Sequence, residues 1–114
     1  MMKLSFSHEA QEKLASKMAA KEVLLLDLDD GIGPLSPVLL ENGLLYRIFI
    51  CPQAKIPDDF TEQLQTSLGP VYFTDDTAFY LDENMEITYK KVQNCLELHS
   101  DQAILEPNLN IIHL

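Results

Sequence analysis

The residues best able to do chemistry stand together at Asp27-Leu28-Asp29-Asp30-Gly31-Ile32-Gly33-Pro34, directly after the apolar run Val23–Leu26. Closely spaced carboxylates suit a hard divalent cation, which needs at least three of them to converge. Side chains alternate along an extended chain, so Asp29 and Asp30 point to opposite faces if the strand continues that far. A carboxylate-based divalent-metal site using Asp27, Asp29 and Asp30 is therefore one reading. If the chain has a site, Asp29, Asp30, Gly31, Ile32, Gly33 and Pro34 form the candidate binding loop, presenting backbone N–H groups and carboxylates. Its plainer alternative is a tight turn with positive φ at Gly31 and an exit set by Pro34. No catalytic residue is nominated, and the chain is not expected to be an enzyme.

Thiols and imidazoles add little to that loop. Cys51 and Cys95 lie 44 positions apart, with no C-x-x-C and no Cys–His cluster, so each is expected to behave as a small buried hydrophobe in a reducing compartment. His8, His99 and His113 are scattered and make no H-x-x-H spacing. No metal ligand set is assigned. The balance of 18 acidic against 8 basic residues gives a formal charge of −10, which repels phosphate backbones and anionic lipid, so neither nucleic acid nor a membrane surface is expected as partner. No apolar run approaches the roughly 20 residues of a membrane span. Met1-Met2-Lys3-Leu4-Ser5 lacks an apolar signal region, so the cytoplasm is the expected location.

These residues must be positioned by the elements of one 114-residue domain. Ser7 caps an expected helix that runs to about Ala20, with Ala10, Leu14 and Met18 as its buried stripe, Ala15 beside them, and Lys13, Lys17 and Lys21 on another face. Val23–Asp29 reads as a strand with Leu24, Leu26 and Leu28 on one face and Val23, Leu25, Asp27 and Asp29 on the other. Val38–Leu40 is a short extended piece, and Asn42-Gly43 is a hairpin signal leading into a buried strand over Leu44–Cys51. Phe60–Leu68 fits helix or strand, and Gly69-Pro70 is expected to end it. Further strands are expected at Val71–Thr74 and Met85–Tyr89, a short element at Thr77–Leu81, and an extended piece from Val92 through Leu96 and Leu98. Pro107 is expected to break the last stretch into Ala103–Leu105 and Leu109–Leu114. One N-terminal helix and six to eight short strands make the fold mainly β, a sandwich or partly open barrel.

The apolar run ending in Asp27-Leu28-Asp29 resembles the opening of the haloacid-dehalogenase-like phosphatases, where such carboxylates act with magnesium. Gly33-Pro34 and Ser36-Pro37 stand where that fold continues as a helix, and the chain is too short for alternating βαβ units. Over nearly its whole length the chain instead resembles the HesB/IscA-like iron–sulfur biosynthesis domain. The matching pieces are Leu4-Ser-Phe-Ser7-x-x-Ala10, Leu24–Ser36, Leu81-Asp82-x-x-Met85-x-Ile87-x-Tyr89 and Glu106-Pro107-Asn108-Leu109, and Leu26–Pro34 resembles a divergent bacterial branch. That resemblance implies a HesB-like pseudo-barrel and a role around iron–sulfur biogenesis. Classical members of the family hold iron or a cluster with a thiolate in the first loop and two in a late Cys-Gly-Cys, the soft ligands that iron chemistry asks for. Here the first position falls near Ile32, and Ile111-Ile112-His113-Leu114 stands where Cys-Gly-Cys would begin. The expectation is an accessory or binding protein without a cysteine-ligated cluster, with no cofactor except by family analogy. Its partners are expected to be proteins, with a homodimeric interaction module as the alternative.

Overall fold

A computed structural model of the chain describes residues 2–29 and 45–114, and for Asp29 and Leu45 the backbone alone. Eight strands and two short α-helices are found there: β1 (Lys3–Phe6), α1 (His8–Lys17), β2 (Glu22–Asp29), β3 (Leu45–Pro52), β4 (Glu62–Thr66), β5 (Gly69–Phe73), α2 (Asp75–Ala78), β6 (Asn84–Lys90), β7 (Cys95–Ser100) and β8 (Ile104–His113). They form one sheet in the order β1-β6-β7-β8-β3-β2-β5-β4. The sheet curls until its outer strands, β1 and β4, lie against each other, which leaves a nearly closed barrel.

The alternation expected for β2 holds. Leu24 and Leu26 enter the main core with Ile48, Ile50, Ile87 and Leu98. Val23 and Leu25 face the opposite side, where Phe49, Cys51 and Phe60 make a second, smaller cluster under the chain that follows β3. The central strands are thus buried on both faces, which is why Val23–Leu26 and Ile48–Cys51 read as unbroken apolar runs.

Helix α1 plugs the barrel. The Ser7 side chain accepts a hydrogen bond of 3.2 Å from the Ala10 N–H, and Ala10 and Leu14 are fully buried. The helix stops at Lys17 rather than near Ala20, because Met18 leaves the helical conformation at φ −97°, ψ 132° and Lys21 turns the chain at φ 67°. Ala15 is exposed, at the wrong angle to the Ala10–Leu14 stripe to share its burial.

Three other expectations change. Phe60–Leu68 resolves into strand β4; the turn falls at Ser67-Leu68, and Gly69, at φ +92°, opens β5 instead of ending the previous element. Val92 belongs to the turn between β6 and β7. Most informatively, β8 runs straight through Pro107. One residue lies between Leu96 and Leu98 on β7, but two lie between Glu106 and Leu109 on β8, so the register slips there. A bulge needs no ladder hydrogen bond from every residue, and a proline is tolerated at such a place. The Val38–Leu40 piece and the Asn42-Gly43 hairpin lie outside the described residues.

Candidate functional site

Strand β2 pairs with β3 along its whole length, from Glu22 opposite Pro52 to Asp29 opposite Leu45. Asp29, the first residue of the candidate loop, is thus paired, and it is the last described residue of β2. Asp30, Gly31, Ile32, Gly33 and Pro34 lie outside the described residues. The end of β2 that precedes them is heavily tied. Asp27 stands directly opposite Arg47, and its Oδ2 accepts from Arg47 Nε at 2.9 Å and lies 2.8 Å from Nη2. Arg47 is buried, with its guanidinium 4.8 Å from the centre of the Phe49 ring. Asp27 is thereby engaged in a structural ion pair, which removes it from the three carboxylates that the hard-metal reading required.

Glu106 braces the same region from β8. Parallel pairing of β3 with β8 begins only at Arg47 opposite Asn110, and the buried Glu106 reaches back so that its Oε1 accepts from the Tyr46 N–H at 3.0 Å. Its Oε2 takes the N–H of Asn108, 3.3 Å away in the bulge. A side-chain carboxylate thus stands in for a strand partner. Tyr46 donates its hydroxyl to the Tyr80 carbonyl at 2.8 Å, and burial raises its pKa above the ordinary phenol value, with smaller contributions from Asp82, Glu106 and Tyr80.

The two thiols are far apart. Antiparallel pairing of Leu96 with Leu109 puts Cys95 level with Asn110, which pairs with Arg47, four residues before Cys51. Two strand spacings across and four residues along amount to about 10 Å and about 13 Å. Cys51 is fully buried in the second cluster, and burial raises its pKa, with Glu22 adding to the shift and Lys55 opposing it. Cys95 is only half-buried, contrary to the buried position expected of it. Among the described residues no three His, Cys, Asp or Glu side chains converge so as to hold a metal ion.

A groove of about 360 Å³ lies where α1 crosses β6, β7 and β8. Leu96, Leu109 and Ile111 give it an apolar floor. Lys13 and Lys17, one helical turn apart, stand on one wall, and Asn94, Asn108 and Asn110 provide amides around the mouth. Lys13 Nζ is 4.9 Å from the centre of the Tyr89 ring, and the Tyr89 hydroxyl bonds Asn94 Oδ1 at 2.7 Å. Asn94 adopts φ 51°, a left-handed turn that asparagine tolerates well, and this places its amide at the rim. Cys95 also lines the groove, and its thiol lies 3.7 Å from the Pro107 carbonyl. His113 Nε2, 3.1 Å from the Lys17 carbonyl, ties the end of β8 to the end of α1. None of this was visible in the sequence, which offered only Lys13 and Lys17 at a spacing of four. The floor comes from strands that meet only in the folded sheet.

A helix-plugged, nearly closed barrel of eight short strands is the architecture that the sequence resemblance implied. The model of the iron–sulphur cluster biosynthesis family matches residues 2–113, and the chain belongs to that family. A candidate Fe–S biosynthesis protein from Lactobacillus salivarius, whose crystal structure is described as a novel protein fold, is similar over 98% of both chains, with 30% identity and a TM-score of 0.84. A second such protein, from Lactobacillus acidophilus, shares the fold with a TM-score of 0.75 at 19% identity, covering 98% of this chain and 90% of that one. No curated protein matches. Among the described residues no helix is long and apolar enough to cross a membrane.

Proposed function

We propose that this chain is an accessory binding protein of iron–sulfur biogenesis in the cytoplasm, acting without a cysteine-ligated cluster and without catalysis of its own. The observation that carries this reading is the placement of the thiols. Thiolates that share one metal ion sit within about 4 Å of each other, given metal–sulfur bonds of about 2.3 Å. Cys51 and Cys95 are separated by two strands and four residues of register, and Cys51 is held as a buried thiol rather than a thiolate. The described donor set does not fit a thiolate-bound iron or cluster. In this reading the chain works through protein partners, and the acidic surface, at −10, favours partners of basic charge.

Thiol counting tests the premise. Ellman's reagent should titrate Cys95 alone in the native protein and both cysteines after unfolding in guanidinium, because only Cys95 has solvent access. Rapid reaction of both thiols in the native state would mean that Cys51 can reach a ligand, and the reading would fail.

A further inference from the structure

We infer that the groove between α1 and β8 is a binding site for a small organic anion, a phosphate or carboxylate carried on a short apolar body. Three features point there together. The first is size: about 360 Å³ lies within the usual range of small-ligand pockets, roughly 300–1,000 Å³. The second is charge. A chain with 18 acidic and 8 basic residues places two of its lysines, Lys13 and Lys17, on this groove and no carboxylate among the described lining residues. Neither lysine pairs with a carboxylate among the described residues, and Lys13 leans on the Tyr89 ring, so both cations remain available to a ligand. A local positive site on a strongly negative protein concentrates small anions where the rest of the surface repels them.

The third feature is the division of polarity. Half-buried Ile111, lying over the buried Leu96 and Leu109, gives the groove an apolar floor, and the amides of Asn94, Asn108 and Asn110 surround it with neutral donors and acceptors. A bare ion would gain nothing from that floor, whereas an anion with a small hydrocarbon or aromatic body would bury it there while its charged end met the lysines. The wall is also set before any ligand arrives. Leu14 buries α1 in the barrel, and the contact of His113 with the Lys17 carbonyl holds the helix end against β8. Little ordering cost is left for binding.

Cys95 supplies the readout, since it lines the groove and its thiol is the more accessible of the two. Its alkylation by neutral iodoacetamide would be followed by peptide mass spectrometry in the presence of phenyl phosphate, benzoate or inorganic phosphate, each up to about 10 mM, a range that detects even millimolar affinity. Phenyl phosphate or benzoate is expected to slow Cys95 alkylation several-fold, with inorganic phosphate much weaker, and whichever of the two protects better assigns the head group. In a Lys13→Gln/Lys17→Gln variant the protection should fall by about tenfold in apparent affinity, the scale of losing two partly solvated ion pairs. A Lys3→Gln control, on β1 away from the groove, should protect as the wild type does. An unchanged thermal melt would show that the double variant is folded. The inference is overturned if neither organic anion slows the reaction, if inorganic phosphate protects as well as both, or if the lysine variant is protected like the wild type.

Discussion

Replacing Arg47 by methionine is expected to destabilise the protein by about 3–5 kcal/mol, the range for removing one partner of a buried ion pair. The geometry puts the pair in that class. Arg47 and Asp27 are direct cross-strand partners, their side chains are only 4% and 14% exposed, and two guanidinium nitrogens lie within 2.9 Å of one carboxylate oxygen. Arg47→Met would strand the Asp27 carboxylate in a site largely closed to water. Against a total stability of about 5–15 kcal/mol, that is a large fraction. Urea unfolding reads it directly, and an Asp27→Asn/Arg47→Met double variant should recover part of the loss because the stranded Asp27 charge is then gone. A cost below about 1 kcal/mol would mean that the pair behaves as a solvated surface bridge.

The second large effect is expected at Leu14. Leu14→Ala should cost about 2–5 kcal/mol, because the residue is fully buried at the point where α1 enters the main core. The loss should also be local. A helix of 10 residues is marginal on its own, so α1 holds its shape by docking. Hydrogen exchange of the amides of 8–17 is expected to accelerate more than that of β2 and β3, whose backbone pairing the substitution leaves intact. Ala15→Ser, on the exposed side of the same turn, should change neither stability nor exchange by more than about 0.5 kcal/mol. Uniform acceleration through the whole sheet would show that α1 and the barrel form one cooperative unit instead.

How much of this was legible beforehand depends on how local the determining physics is. The β2 alternation was readable because Leu24 and Leu26 against Val23 and Leu25 follow the two-residue period that any strand imposes. The Ser7 cap was readable because it acts within one helical turn. The continuity of β8 was not, since Pro107 breaks a regular ladder and survives only in a bulge whose register is set by β7. Phe60–Leu68 was ambiguous because its Phe60, Leu64 and Leu68 spacing suits both periods, and pairing of β4 with β5 decided it. The ion pair at the root of the candidate loop needed the β2–β3 register before Asp27 and Arg47 became neighbours. Sequence reasoning drew attention to the carboxylates of 27–30 and gave Lys13, Lys17 and Tyr89 places on a helix face and a strand but no site, because a groove is made by tertiary packing and leaves no spacing of its own.

The two thiols, held apart in the sheet, are expected not to bind iron. Anaerobic reconstitution with iron and sulfide, followed by quantitation of bound iron and the visible absorption spectrum, tests it beside a Cys51→Ser/Cys95→Ser variant. The placement of the two cysteines predicts background iron and no thiolate-to-iron absorption in either protein, with partners then to be sought among other proteins of the pathway. Stoichiometric iron with that absorption in the wild type, lost in the double variant, would contradict the account and make the chain a thiolate-based carrier after all.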